Sequence, residues 1–327
     1  MNRLSGRVLL TGATGFVGGR LGRALVKAGI RPRALTRSVK KFRGGAAPTD
    51  GMDVVQADLL EPESLAAAMV GIDAAFYLVH SMGGRTFSEN RLFAERDRQA
   101  AHSFVKAADR AGVKRVIYMG GLGEMGEGLS EHLSSRQEVA RILKSGSAKT
   151  TVLRAANIIG AGGAPFEMLR HLVERLPVLL CPRWIDTPCQ PIDVEDAVAY
   201  LVGCLGESAT EGLDFDIGGP DIVTYRKMMQ LYARVRGLRR LIVSVPVLTP
   251  RLSALWIDLV TPVPSGVAVP LLEGLKNEVV CRDNRIRKLV PIPLTPLDVS
   301  ICNALVQIRS GPGRLPSRQA CFIRDDA

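Results

Sequence analysis

The chain has 327 residues, 46% of them hydrophobic and 23% charged, with a formal net charge of +11. That length exceeds what one hydrophobic core normally serves, so a large domain with a smaller companion is expected. The longest uncharged stretch, 14 residues from Leu259 to Leu272, holds three prolines and is too short and broken to span a bilayer.

The first residues lead directly into Val8-Leu9-Leu10, an apolar run that reads as a buried strand, instead of a signal-peptide segment. The expected location is therefore cytoplasmic. Glycines at 12, 15 and 18 follow, and a helical pattern runs from Leu21 to Ala28. Strand, glycine turn and helix form the phosphate-cradling start of a dinucleotide-binding fold. In such a turn Gly12 makes the tight bend, Gly15 lets the backbone approach a pyrophosphate, and Gly18 lets helix and sheet close together. Ala13, Thr14, Phe16 and Val17 complete the cradle.

Residues 33–38 read as a second strand running into a loop. An NAD-binding fold carries an acid about twenty residues past the glycines, on the adenosine ribose. Here that region holds Arg33, Arg37, Ser38 and Lys40, and the first 49 residues contain eleven Lys or Arg and no acid. Guanidinium groups make charge-assisted bonds to phosphate, so this end suits a ribose 2′-phosphate, and NADP is favoured over NAD. Aromatic residues are only 5% of the chain and no stacking or recognition motif is present, which argues against nucleic acid.

Residues 53–58 form a third strand pattern, ending at Asp58-Leu59, where open parallel sheets bind ligands. Asp58 is placed near the adenine or as a cap on the next turn. A short helix over 61–70 and an apolar strand over 73–79 lead to His80-Ser81-Met82-Gly83-Gly84, a polar pair and two glycines at a strand end. His80 and Ser81 are expected to face the cofactor, with a loop-fixing role for His80 as the alternative. A helix over 89–111, stopped by Gly112, and a strand over 114–119 ending in Gly120-Gly121 make the fifth alternation of strand and helix. The expected fold is a doubly wound parallel sheet.

Thr11-Gly12-x-x-Gly15-x-x-Gly18, Asp58-Leu59 and Ala111-Gly112-Val113-Lys114-Arg115-Val116-Ile117-Tyr118 resemble the short-chain dehydrogenase/reductase superfamily. Residues 152–160 and 190–197 are similar to its extended and atypical branches. Tyr77-Leu78-Val79-His80-Ser81-Met82 and His132-Leu133-Ser134-Ser135-Arg136-Gln137 resemble YbjT-type NAD(P)-binding proteins, as do Pro165-Phe166-Glu167, Leu176-Pro177-Val178 and Pro182-Arg183-Trp184. That group is similar to NmrA-like proteins and to the Rossmann-fold accessory subunit of respiratory complex I. The resemblance implies a serine after the fifth strand and a Tyr-x-x-x-Lys on the next helix, the tyrosine exchanging a proton with substrate while hydride moves. Those positions read Gly120-Gly121, His132 and Arg136. Residues four apart on a helix share a face, so His132 and Arg136 are the catalytic candidates, His132 as general acid and Arg136 on the ribose hydroxyls. Ser135-Arg136-Gln137-Glu138 also fits a capping box, which would start the helix at 135 and leave His132 outside it.

The second half is less regular. A sixth strand over 150–153 leads to Asn157, expected at the border of the cleft. A helix over 164–176 is broken by Pro177, Asp193 is a plausible N-cap for a helix to Leu205, and strand and helix patterns follow over 213–217 and 225–235. From Leu241 to Leu275 the chain is apolar and proline-rich, and the resemblance makes it a lid over the nicotinamide. This implies a small apolar substrate such as a quinone, an isoprenoid or another lipid-like carbonyl compound. Simple packing of a second domain is the alternative.

The expected organisation is a Rossmann domain over 1–160, a smaller, mostly helical substrate region over 161–308 partly interleaved with it, and a mobile tail over 309–327. The six cysteines (181, 189, 204, 281, 302, 321) show no metal-like spacing and read as free thiols. Expected cofactor contacts are Gly12, Ala13, Thr14, Gly15, Phe16, Val17, Gly18, Arg37, Ser38, Asp58, Leu59, His80, Ser81, Gly120, Arg136 and Asn157, with no metal site. Three functions fit: an NADP-dependent oxidoreductase, an NADP-sensing or assembly protein that does no chemistry, and a membrane-edge lipid or quinone binder. Peripheral membrane contact and homo-oligomerisation are both compatible with the composition.

Overall fold

The computed structural model describes residues 7–43, 50–80, 87–123, 131–245, 261–263, 267–268, 274 and 276–310. The first half alternates strand and helix: β1 (Val8–Leu10), α1 (Phe16–Lys27), β2 (Arg33–Thr36), α2 (Val39–Arg43), β3 (Asp53–Gln56), α3 (Pro62–Met69), β4 (Ala74–Tyr77), α4 (Phe87–Ala111), β5 (Arg115–Gly121), α5 (Glu131–Lys144) and β6 (Lys149–Ala155). The second half contributes β7 (Ile158–Ile159), α6 (Ala164–Arg175), β8 (Val178–Pro182), β9 (Pro188–Cys189), β10 (Ile192–Asp193), α7 (Val194–Gly206), β11 (Asp214–Ile217), β12 (Val223–Thr224), α8 (Tyr225–Val235) and β13 (Leu241–Val245). A further helix, Leu297–Ser310, follows.

Seven strands form one sheet in the order β11-β6-β5-β4-β1-β2-β3, with every pairing parallel. Parallel strands are covered on both faces and so read as continuous apolar runs. β1 and β4 are buried at every residue. One face packs Leu21 and Leu25 of α1 and Ala197, Val198 and Leu201 of α7 against Leu10, Phe76 and Ile117. The other face packs Leu65 of α3, Phe104 of α4 and Val139 of α5 against Leu9, Ala75 and Tyr118. This is a doubly wound Rossmann-type α/β fold. Chain order reverses between β1 and β4, and open sheets of this kind bind ligands at the carboxyl ends of the strands at that switch point.

A separate core joins α6, α8, the helix Leu297–Ser310 and the inner faces of β8 and β13, with Phe166, Tyr232 and Ile301 completely buried. β11 and α7, although late in the chain, lie on the main sheet. Among the described residues no helix is long and apolar enough to cross a membrane.

Three local expectations are corrected. The first helix starts at Phe16, five residues before the apolar pattern suggests, with Gly18 and Gly19 buried inside it and Gly18 packed against the carbonyl of Gly12. α5 starts at Glu131, so Ser135 lies inside the helix and is buried instead of capping it. Leu133 supplies the reason: it is buried against Gly121, where an added Cβ would lie 3.0 Å from Leu133 Cδ2, and this packing outweighs the local capping preference. Cysteines 181, 189, 204 and 281 are free, but Cys302 is disulfide-bonded, contrary to the all-thiol reading. Asp193 does cap α7, its Oδ1 accepting from Glu195 N at 2.8 Å. The stretch from 246 to 260 and the tail beyond 310 lie outside the described residues.

Candidate dinucleotide cleft

The cleft begins where β1 ends. Thr11 is fully buried and ties β1 to β4: its hydroxyl donates to Phe76 O at 3.0 Å and accepts from Leu78 N at 3.1 Å. The next residue turns with φ +70°, a conformation natural to glycine, and a Cβ on Gly12 would lie 2.6 Å from Leu78 O. Gly15 N donates to Gly12 O at 2.9 Å, and a Cβ on Gly18 would sit 2.1 Å from the same oxygen. The helix is thus clamped onto the turn by backbone alone. Gly15 caps α1 without a side-chain bond, and the first turn carries no acid. The positive end of the helix therefore meets no carboxylate of its own, the arrangement that favours a phosphate. Ala13 is buried beneath the turn, and Val17 packs partly buried against the main core.

From this turn a cleft of about 2380 Å³ runs across the strand ends. Its lining includes Gly12, Thr14, Gly15, Phe16, Arg37, Ser38, Asp58, Leu59 and His80, so the structure brings these expected residues together. At the β2 end Arg37 is exposed, and Ser38 Oγ accepts from Lys41 N at 3.3 Å, which orients the start of α2 and brings Lys41 to the wall. Arg33 is not at this end. It sits at the start of β2, pairs with Asp53 at 3.4 Å and donates to the Ala68 and Val70 carbonyls, so its expected phosphate role is withdrawn. Among the described lining residues the cations are Arg20, Arg23, Lys27, Arg37, Lys41 and Arg96, and the acids are Asp58 and Glu195. Glu195 is paired with Arg20 at 3.3 Å. Asp58 accepts from Leu60 N at 3.0 Å, so it caps its turn while lining the cleft.

At the end of β4, His80 Nδ1 lies 2.7 Å from Asp97 Oδ2, and the Asp97 side chain is 4% exposed. A carboxylate partner places the proton on Nδ1, which leaves Nε2 on the opposite edge of the ring. Burial, and then the nearby Arg136 charge, push the His80 pKa down to about 4 against the raising effect of Asp97, so the imidazole is neutral.

Arg136 lies on α5 beside β5. Its Nη1 donates to Met119 O at 3.1 Å, Tyr118 Oη donates to its carbonyl at 3.2 Å, and its Nε is buried without a hydrogen-bond partner among the described residues. Gly120 pairs in register with Arg154 at the end of β5. Asn157 Nδ2 donates to Tyr225 Oη at 3.1 Å, so it is committed to the second core. Gly120, Arg136 and Asn157 are not among the residues lining the cleft. His132 falls in the first turn of α5, but its side chain, like Ser81, lies outside the described residues. No group of three or more His, Cys, Asp or Glu able to hold a metal occurs among the described residues.

Lys41 and Arg96 line the cleft and Asp97 stands behind His80, and none of the three is anticipated by the sequence reading. Asp97 had a legible signal: it falls three residues after Ala94 and three before Ala100, on the apolar face of α4. An acid on a buried stripe calls for a partner.

The residues present fit a dinucleotide. The glycine cradle would be filled by any Cβ, and the helix end lacks an acid. Sheet order, switch-point cleft and glycine turn together define a dinucleotide-binding α/β protein of the Rossmann class. Residues 12–159 match the NAD(P)H-binding family. It is 29% identical over 245 residues to a ceramide reductase of Caulobacter vibrioides, covering 74% of each chain. It is 22% identical over 323 residues to the mitochondrial NADH dehydrogenase [ubiquinone] 1 alpha subcomplex subunit 9 of Arabidopsis thaliana, covering 92% of this chain and 77% of that one. Its fold matches Citrobacter sp. triphenylmethane reductase complexed with NADP(H), with a TM-score of 0.69 and 22% identity over 91% of this chain and 99% of that one. The chain is thus similar to NAD(P)H-binding, oxidoreductase-like proteins, with which it shares the Rossmann-type fold.

Proposed function

We propose that the protein is an NADP(H)-dependent reductase of an apolar, lipid-like molecule. The observation that carries the cofactor preference is the β2 end of the cleft, where Arg37, Ser38 and Lys41 stand and no described carboxylate does. A ribose 2′-phosphate gains charge-assisted bonds there, whereas an unphosphorylated ribose leaves the cations unused. When bound, the cofactor supplies a hydride. The glycine turn and the α1 amides would hold its pyrophosphate, and Asp58 and Leu59 would border its adenine. His80, held by Asp97, would stand beside the cofactor at the end of β4. His132, in the first turn of α5, would carry the substrate's proton. The apolar substrate is supported by the apolar composition of residues 241–275 and by the relative named a ceramide reductase.

A second reading, NADP(H) binding without turnover, is favoured by one observation. Gly120 and Gly121 supply no hydroxyl at the end of β5, and no Tyr-x-x-x-Lys follows. Following NADPH absorbance with ketones and enones that carry long alkyl or isoprenoid chains separates the two. Oxidation by at least one of them supports the reductase. Saturable NADPH binding with no oxidation by any would replace it with the second reading.

A further inference from the structure

A second surface is built on β8 and β13, and none of its residues lines the cleft. The two strands pair in parallel, with Val178 opposite Leu241 and Leu180 opposite Val243. Side chains alternate across a strand, so these four share one face and their neighbours share the other. The inner face is satisfied: Leu179 and Cys181 are buried and Ile242 packs against the second core. The outer face is not. Val178 is 45% exposed, Leu180 57%, Leu241 60% and Val243 36%. Ten large hydrophobic side chains are exposed among the described residues, and four of them are contiguous here, whereas isolated ones need no explanation.

The surroundings are basic. Residues 168–182 and 226–245, which form and flank the ribbon, contain eight Lys or Arg and a single acid, Glu174. That acid is consumed internally, accepting from Tyr232 Oη at 2.8 Å and Arg236 Nε at 3.0 Å. Arg226 is matched by Asp186. Arg240 is tied back to the end of α6, donating to Val173 O at 2.6 Å and Glu174 O at 3.0 Å. Arg234 and Arg239 are exposed, with Arg239 two residues before Leu241.

We propose that this ribbon seats the protein on an anionic membrane surface, Val178, Leu180, Leu241 and Val243 entering the headgroup–acyl boundary and the arginines meeting lipid phosphates. Charge complementarity selects the occupant, since apolar area and clustered cations act together at an anionic leaflet. The patch is wholly aliphatic, whereas protein interfaces favour aromatic and methionine anchors. The inference is independent of whether the cleft transfers hydride.

The test is co-sedimentation of the full chain with vesicles of equal parts phosphatidylcholine and phosphatidylglycerol, with phosphatidylcholine vesicles as the control. Binding to the anionic vesicles that weakens with added salt is expected. Leu180→Ser with Leu241→Ser should weaken it by about tenfold, and Arg239→Gln by about fivefold. Both variants should bind NADPH as the parent does, which shows they are folded. Failure to bind vesicles, equal binding to neutral ones, or binding untouched by the double variant would overturn the proposal. So would a lipid-free dimer that the double variant dissociates, because the ribbon would then be a contact between two copies.

Discussion

At the phosphate end of the cleft the working parts are backbone: the φ of Gly12, the carbonyl that a Cβ on Gly18 would strike, and the uncapped amides of α1. At the end of β4 they are side chains brought from distant segments: His80 lines the cleft, held by Asp97 of α4 and with its pKa depressed by burial and then by the charge of Arg136 of α5, both residues outside the lining. A backbone site is specified locally and tolerates no substitution at its close contacts. A side-chain site is specified by long-range packing and can be remodelled residue by residue. The glycine turn is accordingly intact, while the residue types that the family resemblance implies at the β5–α5 end are all replaced.

Substitutions at four positions test that contrast. The largest effect is expected from Gly18→Ala, which forces a Cβ to 2.1 Å from a backbone oxygen. It should lower NADPH affinity by more than ~100-fold and destabilise the fold by about 1–3 kcal/mol. Titration and thermal melting check it, and wild-type affinity would show that the turn does not hold the cofactor.

Next is Arg37→Ala. Loss of one charge-assisted bond should weaken NADPH binding by about 10- to 100-fold, while NADH binding stays unchanged. Equal losses for both cofactors would place Arg37 away from the 2′-phosphate.

The His80–Asp97 pair should appear in the pH dependence of stability. The folded pKa of about 4 lies below the ordinary histidine value of 6.5, so between those values the unfolded chain binds more protons. Stability is full above pH 6.5 and falls on acidification towards pH 4, with a slope of up to about 1.4 kcal/mol per pH unit. His80→Gln should flatten that part of the curve in denaturant unfolding. An unchanged slope would mean that His80 is not held neutral in the fold.

The smallest effect concerns the α7 cap. Asp193→Ala should cost about 1 kcal/mol, measured by the same unfolding. Burial raises the Asp193 pKa to about 6, so Asp193→Asn keeps the capping oxygen, removes an ill-solvated charge and should cost nothing near neutral pH.

Much of the first half could be read from local pattern. Three glycines at fixed spacing and apolar runs of strand length needed no long-range information, and the doubly wound parallel sheet follows from them, whereas the place of β11 at its edge does not. The errors arose where distant contacts decide. Leu133 against Gly121 pulls α5 four residues towards the N-terminus, past a sound capping box. Arg33 is drawn to Asp53 and to the carbonyls ending α3, contacts 20 to 37 residues away that remove it from the phosphate end. Asn157 turns to Tyr225, 68 residues on. Asp97 is the converse: its place on an apolar helical face was visible, but its partner His80 was identifiable only once β4 and α4 were packed together.

The central claim is that the β2 end of the cleft reads a 2′-phosphate. Parallel titrations of the unmodified protein with NADPH and NADH, followed by tryptophan or nicotinamide fluorescence, test it most directly. The account predicts NADPH binding tighter by about tenfold or more. Equal affinity for the two cofactors, or tighter binding of NADH, would contradict it.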